Sequence, residues 1–149
     1  MLMAAGETEW EGMALCAVQN TRGLERAQLL YADDTLIYPA ETYSGCVEML
    51  SNGTVAVVTG DDAVLAGFVA RHPGRMALVG ESLAITRYGV GLPPGSTELC
   101  EQVNAALTEI VADGTWEALR LRYFGATYVP DPTLNPPHVG TCSGEDETT

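Results

Sequence analysis

The chain has 149 residues, 46% of them hydrophobic, and a formal net charge of −13, with 20 carboxylates against seven arginines. That length and apolar content suit about one domain-sized core and exclude disorder over most of the chain, while the lack of any basic patch excludes nucleic acid and anionic membrane as partners. No apolar run approaches the ~20 residues of a membrane span.

Residues 1–10 are read as an unstructured start, and MLMAAGETEWEG has neither the basic n-region nor the long apolar h-region of a secretory signal peptide. MALCAV (13–18) is a short apolar strand, and after the turn QNTRG the run LERAQLLY (24–31) predicts a helix, with Leu24, Ala27 and Tyr31 spaced by three and four. DTLIYPA (34–40) is a second strand, stopped by Pro39, and TYSGCVEMLSNG (42–53) a helix that ends at Asn52-Gly53. TVAVV (54–58), DDAVLAGFVARH (61–72) and MALVG (76–80) read as a third strand, a third helix and a fourth strand. Repeated β-then-α units with apolar strands imply a mostly parallel sheet flanked by helices.

From residue 84 the pattern changes. AITRYGVGLPPGS contains a strand-like YGVGL (88–92); TELCEQVNAALTEIVADG is an amphipathic helix with Leu99, Val103, Leu107 and Ile110 on one stripe, and TWEALRLRYFG a further helix closing at Gly125. Residues 126–149 form a Pro-rich acidic tail, expected to lie extended on the surface. No internal repeat, phosphate loop or Rossmann glycine signature is present.

Cys16, Cys46, Cys100 and Cys142 are an even set without a CxxC pair, and His72 and His138 are far apart in sequence. Two disulfides suit this pattern better than a zinc site and imply an oxidising compartment; buried free thiols in a cytosolic protein are the alternative.

In open α/β sheets, ligands sit outside the carboxyl ends of the strands, where helix N-termini offer N–H groups. Two loops fit that place. Gln19-Asn20-Thr21-Arg22-Gly23 could bind a carboxylate, and Thr59-Gly60-Asp61-Asp62 an ammonium. Together they describe a site for a small zwitterion. Each residue also has a plainer reading: Thr21 as an N-cap, Arg22 as a solvated turn residue, Asp62 as a first-turn carboxylate. No Ser/His/Asp or Cys/His set, metal cluster or acid/base carboxylate pair stands out, so neither an enzyme nor a cofactor is expected.

The helix TYSGCVEML, the segment NGTVAVVTGDDAVLAGF, the return strand YGVGLP and the closing helices VNAAL and DGTWEALRLRYFG resemble the family-3 extracellular solute-binding proteins, the polar amino-acid receptors of ABC importers. The likeness runs from about Glu11 to Gly125 and is nearest the glutamate/glutamine type of Gram-positive actinobacteria. It implies an extracytoplasmic protein of two α/β lobes around an amino acid, with residues 11–83 as the second lobe and 84–125 as the segment that recrosses the hinge to finish the first. It implies that Asp61 pairs with the ligand ammonium, that the hydroxyl and N–H groups of the Thr21 loop take its carboxylate, and that Cys16–Cys46 and Cys100–Cys142 are the disulfides.

The departures are specific. Asn20 stands where the family favours Gly, Arg22 where a small residue is common, Ala56 where an Asp is usual, and Gly60 where a polar side chain would touch the ligand. Most of the first lobe is absent from the pattern. The chain is therefore expected to bind a glutamate- or glutamine-like amino acid weakly with half a pocket and to serve an ABC permease, or to be a vestigial or interaction module that binds nothing. The stripe of Leu99, Val103, Leu107 and Ile110 must then fold back on the second lobe, form a homodimer, or meet a partner chain that carries the missing lobe.

Overall fold

The computed structural model describes residues 1–7, 9, 12–85 and 87–142, which divide into two compact units, Met1–Thr86 and Arg87–Thr149. The first holds a five-stranded sheet in the order β3-β2-β4-β1-β5, built from β1 (Leu2–Ala4), β2 (Leu15–Val18), β3 (Ile37–Ala40), β4 (Val57–Val58) and β5 (Met76–Leu78). β2 pairs in parallel with β3 and β4, whereas β1 is inserted antiparallel between β4 and β5. Three helices complete this unit: α1 (Arg22–Tyr31), α2 (Tyr43–Ser51) and α3 (Asp62–Arg71).

Alternation along the strands assigns the two faces. Leu15, Ala17 and Val57 join Met3 and Ala27 of α1 in one buried cluster; Cys16, Val18 and Val58 join Leu2, Cys46, Val47, Leu50, Leu65, Phe68 and Met76 in the other, with α2 and α3. Both faces are thus covered, as an apolar parallel sheet requires.

Four expectations are corrected. The start is not unstructured: Leu2 and Met3 are buried and pair with Val58 and Val57 on one side and with Leu78 and Ala77 on the other. Pro39 does not stop β3, which runs on to Ala40; β3 is an edge strand, where the missing N–H costs the ladder nothing, and Gln19 N–H still reaches the Ala40 carbonyl at 2.8 Å. YGVGL forms no strand, and Tyr88 and Val90 are largely exposed, since a strand exists only where a neighbour pairs with it. β4 is also shorter than TVAVV, because the Thr54 and Val55 N–H groups close the helix end on the Met49 carbonyl at 2.9 and 3.2 Å.

The second unit contains α4 (Thr97–Ala112) and α5 (Thr115–Phe124), neither with a fully buried residue. The tail is fastened to the helices. Cys100 bonds Cys142, the Asn104 amide donates to the Gly140 carbonyl at 2.8 Å, and Arg120, paired with Glu117, donates to the Tyr128 carbonyl. Residues 143–149 of the expected tail lie outside the described residues.

Candidate functional site

β2, β3 and β4 run in one direction, so the N-termini of the helices that follow them lie along one edge of the sheet. The loop into α1 makes its turn at Asn20, whose φ of 57° is left-handed. Asn thus performs the turn for which the family favours Gly. Thr21 caps α1: its hydroxyl donates to the Val18 carbonyl at 2.7 Å and accepts from the Leu24 N–H at 3.3 Å. The expected hydroxyl donor is therefore committed within its own loop. What the loop presents outward are the first N–H groups of α1, at Arg22 and Gly23, which no intrahelical carbonyl can reach. The Arg22 side chain is exposed.

The second loop follows β4. Thr59 is buried and its N–H bonds the Cys16 carbonyl at 2.9 Å, tying this loop to β2. The two candidate loops meet: a Cβ built on Gly23 would lie 3.4 Å from Gly60 Cα. Asp61 occupies the N-cap position of α3, yet its carboxylate makes no capping hydrogen bond. Asp62 is the carboxylate that turns back to the backbone, accepting the Ala63 N–H at 2.8 Å.

One residue here was not singled out by sequence. Tyr43, the first residue of α2, lays its ring against Gly60, where a Cβ would collide with Cε1 and stand 2.8 Å from the hydroxyl. That hydroxyl accepts the Asp61 N–H at 3.5 Å. Burial raises the phenol above its ordinary pKa of 10.0, offset in part by the Asp61 N–H, with the Asp61 charge raising it further, so it is neutral at physiological pH. The Cys16–Cys46 bond, with Cα atoms 5.5 Å apart, fixes the same turn of α2 to β2. The sequence signal was available in Thr42, whose hydroxyl accepts the Gly45 N–H and so places Tyr43 at a third helix start on this edge.

Two cavities in the first unit lie at the other end of the strands. One, of ≈ 110 Å³, is lined by Ala4, Leu50, Ser51, Arg75 and Met76; the other, of ≈ 260 Å³, includes Met3, Met13, Gly53 and Ala56. Neither is lined by residues of the candidate loops. Among the described residues, no group of three or more His, Cys, Asp or Glu could hold a metal ion.

Comparison with known proteins gives this edge a context. The chain is 31% identical over 112 residues to the glutamate-binding protein GluB of Corynebacterium efficiens and 32% identical over 119 residues to that of Corynebacterium glutamicum, matches that take in 72% and 76% of the chain. It is 29% identical over 108 residues, 72% of the chain, to the L-cystine-binding protein TcyJ of Escherichia coli. The chain spans 36–40% of the length of these relatives. An ancestral arginine-binding protein bound to glutamine superposes on 83% of the chain with a TM-score of 0.63 at 24% identity, 58% of that structure being covered. The GluR0 ligand-binding core of Nostoc punctiforme in complex with L-glutamate does so with a TM-score of 0.63 at 18% identity, 83% of this chain and 59% of the core being covered. These structures establish the fold. No family model matches the chain.

Proposed function

The chain is a partial homologue of the family-3 extracellular amino-acid-binding proteins, and from that premise we propose that its first unit is a ligand-binding lobe for a polar amino acid of the glutamate or glutamine type. The observation that carries this reading is the meeting of the Asn20–Gly23 loop with Gly60 and Asp61, marked by the 3.4 Å approach at Gly23. It sets backbone N–H donors of a helix start beside the loop that carries the Asp61 carboxylate. A zwitterion needs both: its carboxylate is held at the N-terminus of α1 and its ammonium at Asp61. Arg22, at the rim, adds a cation to the carboxylate end.

In this reading residues 11–83 act as the second lobe of the family and 84–125 as the segment that returns to the first, the protein works outside the cytoplasm, where its two disulfides persist, and it delivers its ligand to an ABC permease. One lobe leaves most of the ligand surface in water, so the affinity of the chain alone is about millimolar. A partner chain with the complementary lobe, or a second copy, would enclose the ligand.

A second reading, an interaction module of the same fold that no longer binds ligand, is favoured by the position of both cavities at the opposite end of the strands. The experiment that separates the two is a titration of the oxidised protein with millimolar glutamate, glutamine, aspartate and asparagine, followed by calorimetry and by amide chemical shifts. Saturable shifts at Arg22, Gly23 and Asp61, abolished in Asp61→Asn, establish the binding reading. Absence of heat and of shifts with all four ligands overturns it in favour of the interaction module.

A further inference from the structure

We infer that Tyr43 is a ligand-contacting and specificity-determining residue of this site, its hydroxyl supplying the polar contact that Gly60 cannot. The inference rests on the amino-acid-binding reading and deepens it. Three observations converge on Tyr43. The phenol occupies the space a side chain at position 60 would enter, since a Cβ there would meet Cε1, Cζ and the hydroxyl of Tyr43 before any other atom. The hydroxyl is oriented by the backbone of the proposed ammonium anchor, accepting the Asp61 N–H at 3.5 Å. And the helix turn that carries it is held to β2 by Cys16–Cys46, while β2 also leads into the Asn20–Gly23 loop, so the ring stands in a fixed relation to both halves of the site.

The chemistry follows from the inventory of a phenol. A tyrosine hydroxyl has one proton to donate, and here it accepts from the Asp61 amide, which directs the donor side of the group away from the backbone. A neutral donor beside Gly60 suits a ligand that brings an acceptor to that place, a carboxylate or amide oxygen, better than a guanidinium or ammonium side chain, which cannot take up its proton. Gly60 is part of the same device, because a larger residue there would displace the ring. Tyr43 and Gly60 therefore act as an exchanged pair: the side chain that would stand at 60 is delivered instead from the start of α2.

The test is the affinity of the whole 149-residue chain for L-glutamate, L-glutamine and L-arginine, by amide shifts up to millimolar concentration, for the parent protein, Tyr43→Phe, Tyr43→Ala and the double variant Tyr43→Ala/Gly60→Ser. Tyr43→Phe is expected to weaken glutamate and glutamine by about three- to tenfold, the range of one ordinary hydrogen bond, with no change in the thermal midpoint or in arginine binding. Gly60→Ser on the Tyr43→Ala background is expected to regain glutamate affinity, because it returns a hydroxyl to the vacated space; a purely structural tyrosine would not be rescued in this way. Equal binding of glutamate by the parent protein and Tyr43→Phe, with Asp61→Asn still inactive, overturns the role of Tyr43 alone. A parent protein that binds none of the three ligands overturns both this role and the binding reading beneath it.

Discussion

The Tyr43 ring packs on the backbone of Gly60 closely enough that a Cβ at residue 60 would stand 2.8 Å from the phenol oxygen. Two segments 17 residues apart, the start of α2 and the loop after β4, are thereby interlocked. Gly60→Ala is expected to cost about 1–3 kcal/mol, as overpacking does elsewhere, and distinctly less on a Tyr43→Ala background where the ring is gone. Urea unfolding of the four proteins of this cycle gives the coupling; additive costs would contradict the interlock.

Thr21 caps α1 through both the donor and the acceptor side of its hydroxyl. Thr21→Ala should therefore lose about 1 kcal/mol of stability, and Thr21→Ser should lose much less because it keeps the oxygen. Thermal or chemical denaturation of the two variants decides. If the serine variant falls as far as the alanine variant, the threonine methyl rather than the cap is what matters.

The disulfides close loops of 30 and 42 residues. Replacing Cys16 and Cys46 by alanine is expected to cost about 3–4 kcal/mol from loop entropy, and to broaden the Tyr43 and Asp61 signals, because the α2 turn loses its anchor to β2. Replacing Cys100 and Cys142 instead should leave the first unit's unfolding unchanged and open the tail to limited proteolysis after Tyr128. A tail equally protected in that variant would show that Asn104 and Arg120 hold it unaided.

The pH dependence at Tyr43 has a definite sign. The folded phenol titrates above the unfolded value of 10.0, chiefly because it is buried. Its contribution to stability is whole below pH 10.0 and is lost as pH rises through the folded value, since the unfolded chain gives up its proton first. The thermal midpoint should fall more steeply above about pH 10 in the parent protein than in Tyr43→Phe. Parallel curves would mean that the phenol ionises as freely in the fold as outside it.

The parallel β-α units were legible because each strand is apolar and each helix carries its own start signal: Thr21 before α1, Thr42 before α2, Asp61 before α3. β1 was not. Three residues without alternation carry no local signal, and what makes them a strand is pairing with Val58 and Leu78, more than fifty residues away. Pro39 misled for a related reason, since its tolerance depends on β3 lying at the edge of the sheet, which is a property of topology. Of the candidate site, Asn20, Thr21, Arg22, Gly60 and Asp61 could be nominated because turn, cap and glycine signals mark strand ends. The contact of Tyr43 with Gly60 could not, because no periodicity links a helix start to a loop beyond the next strand.

The two units differ in how their helices are buried. α4 and α5 contain no fully buried residue, and Leu99 of the expected stripe is 43% exposed, whereas β2 is buried throughout. Amide hydrogen exchange should accordingly be faster along 97–124 than along β2 and β4 by orders of magnitude. Comparable protection in the two units would show that the α4 stripe is covered in solution, and light scattering would then tell whether by a second copy.

The insertion of β1 between β4 and β5 bears on how the protein comes to be made. β1 is made ahead of both its neighbours: β4 ends at Val58, more than fifty residues further along the chain, and β5 at Leu78, more than seventy. Before then β2 and β3 can pair with each other, and once β4 has joined β2 and β1, the far edge of β1 stays open to any strand that passes until β5 arrives. Synthesis rate and chaperone supply should therefore govern the soluble yield of this chain, and a duplicate Leu2–Ala4 peptide added in trans would compete for the gap only before β5 arrives.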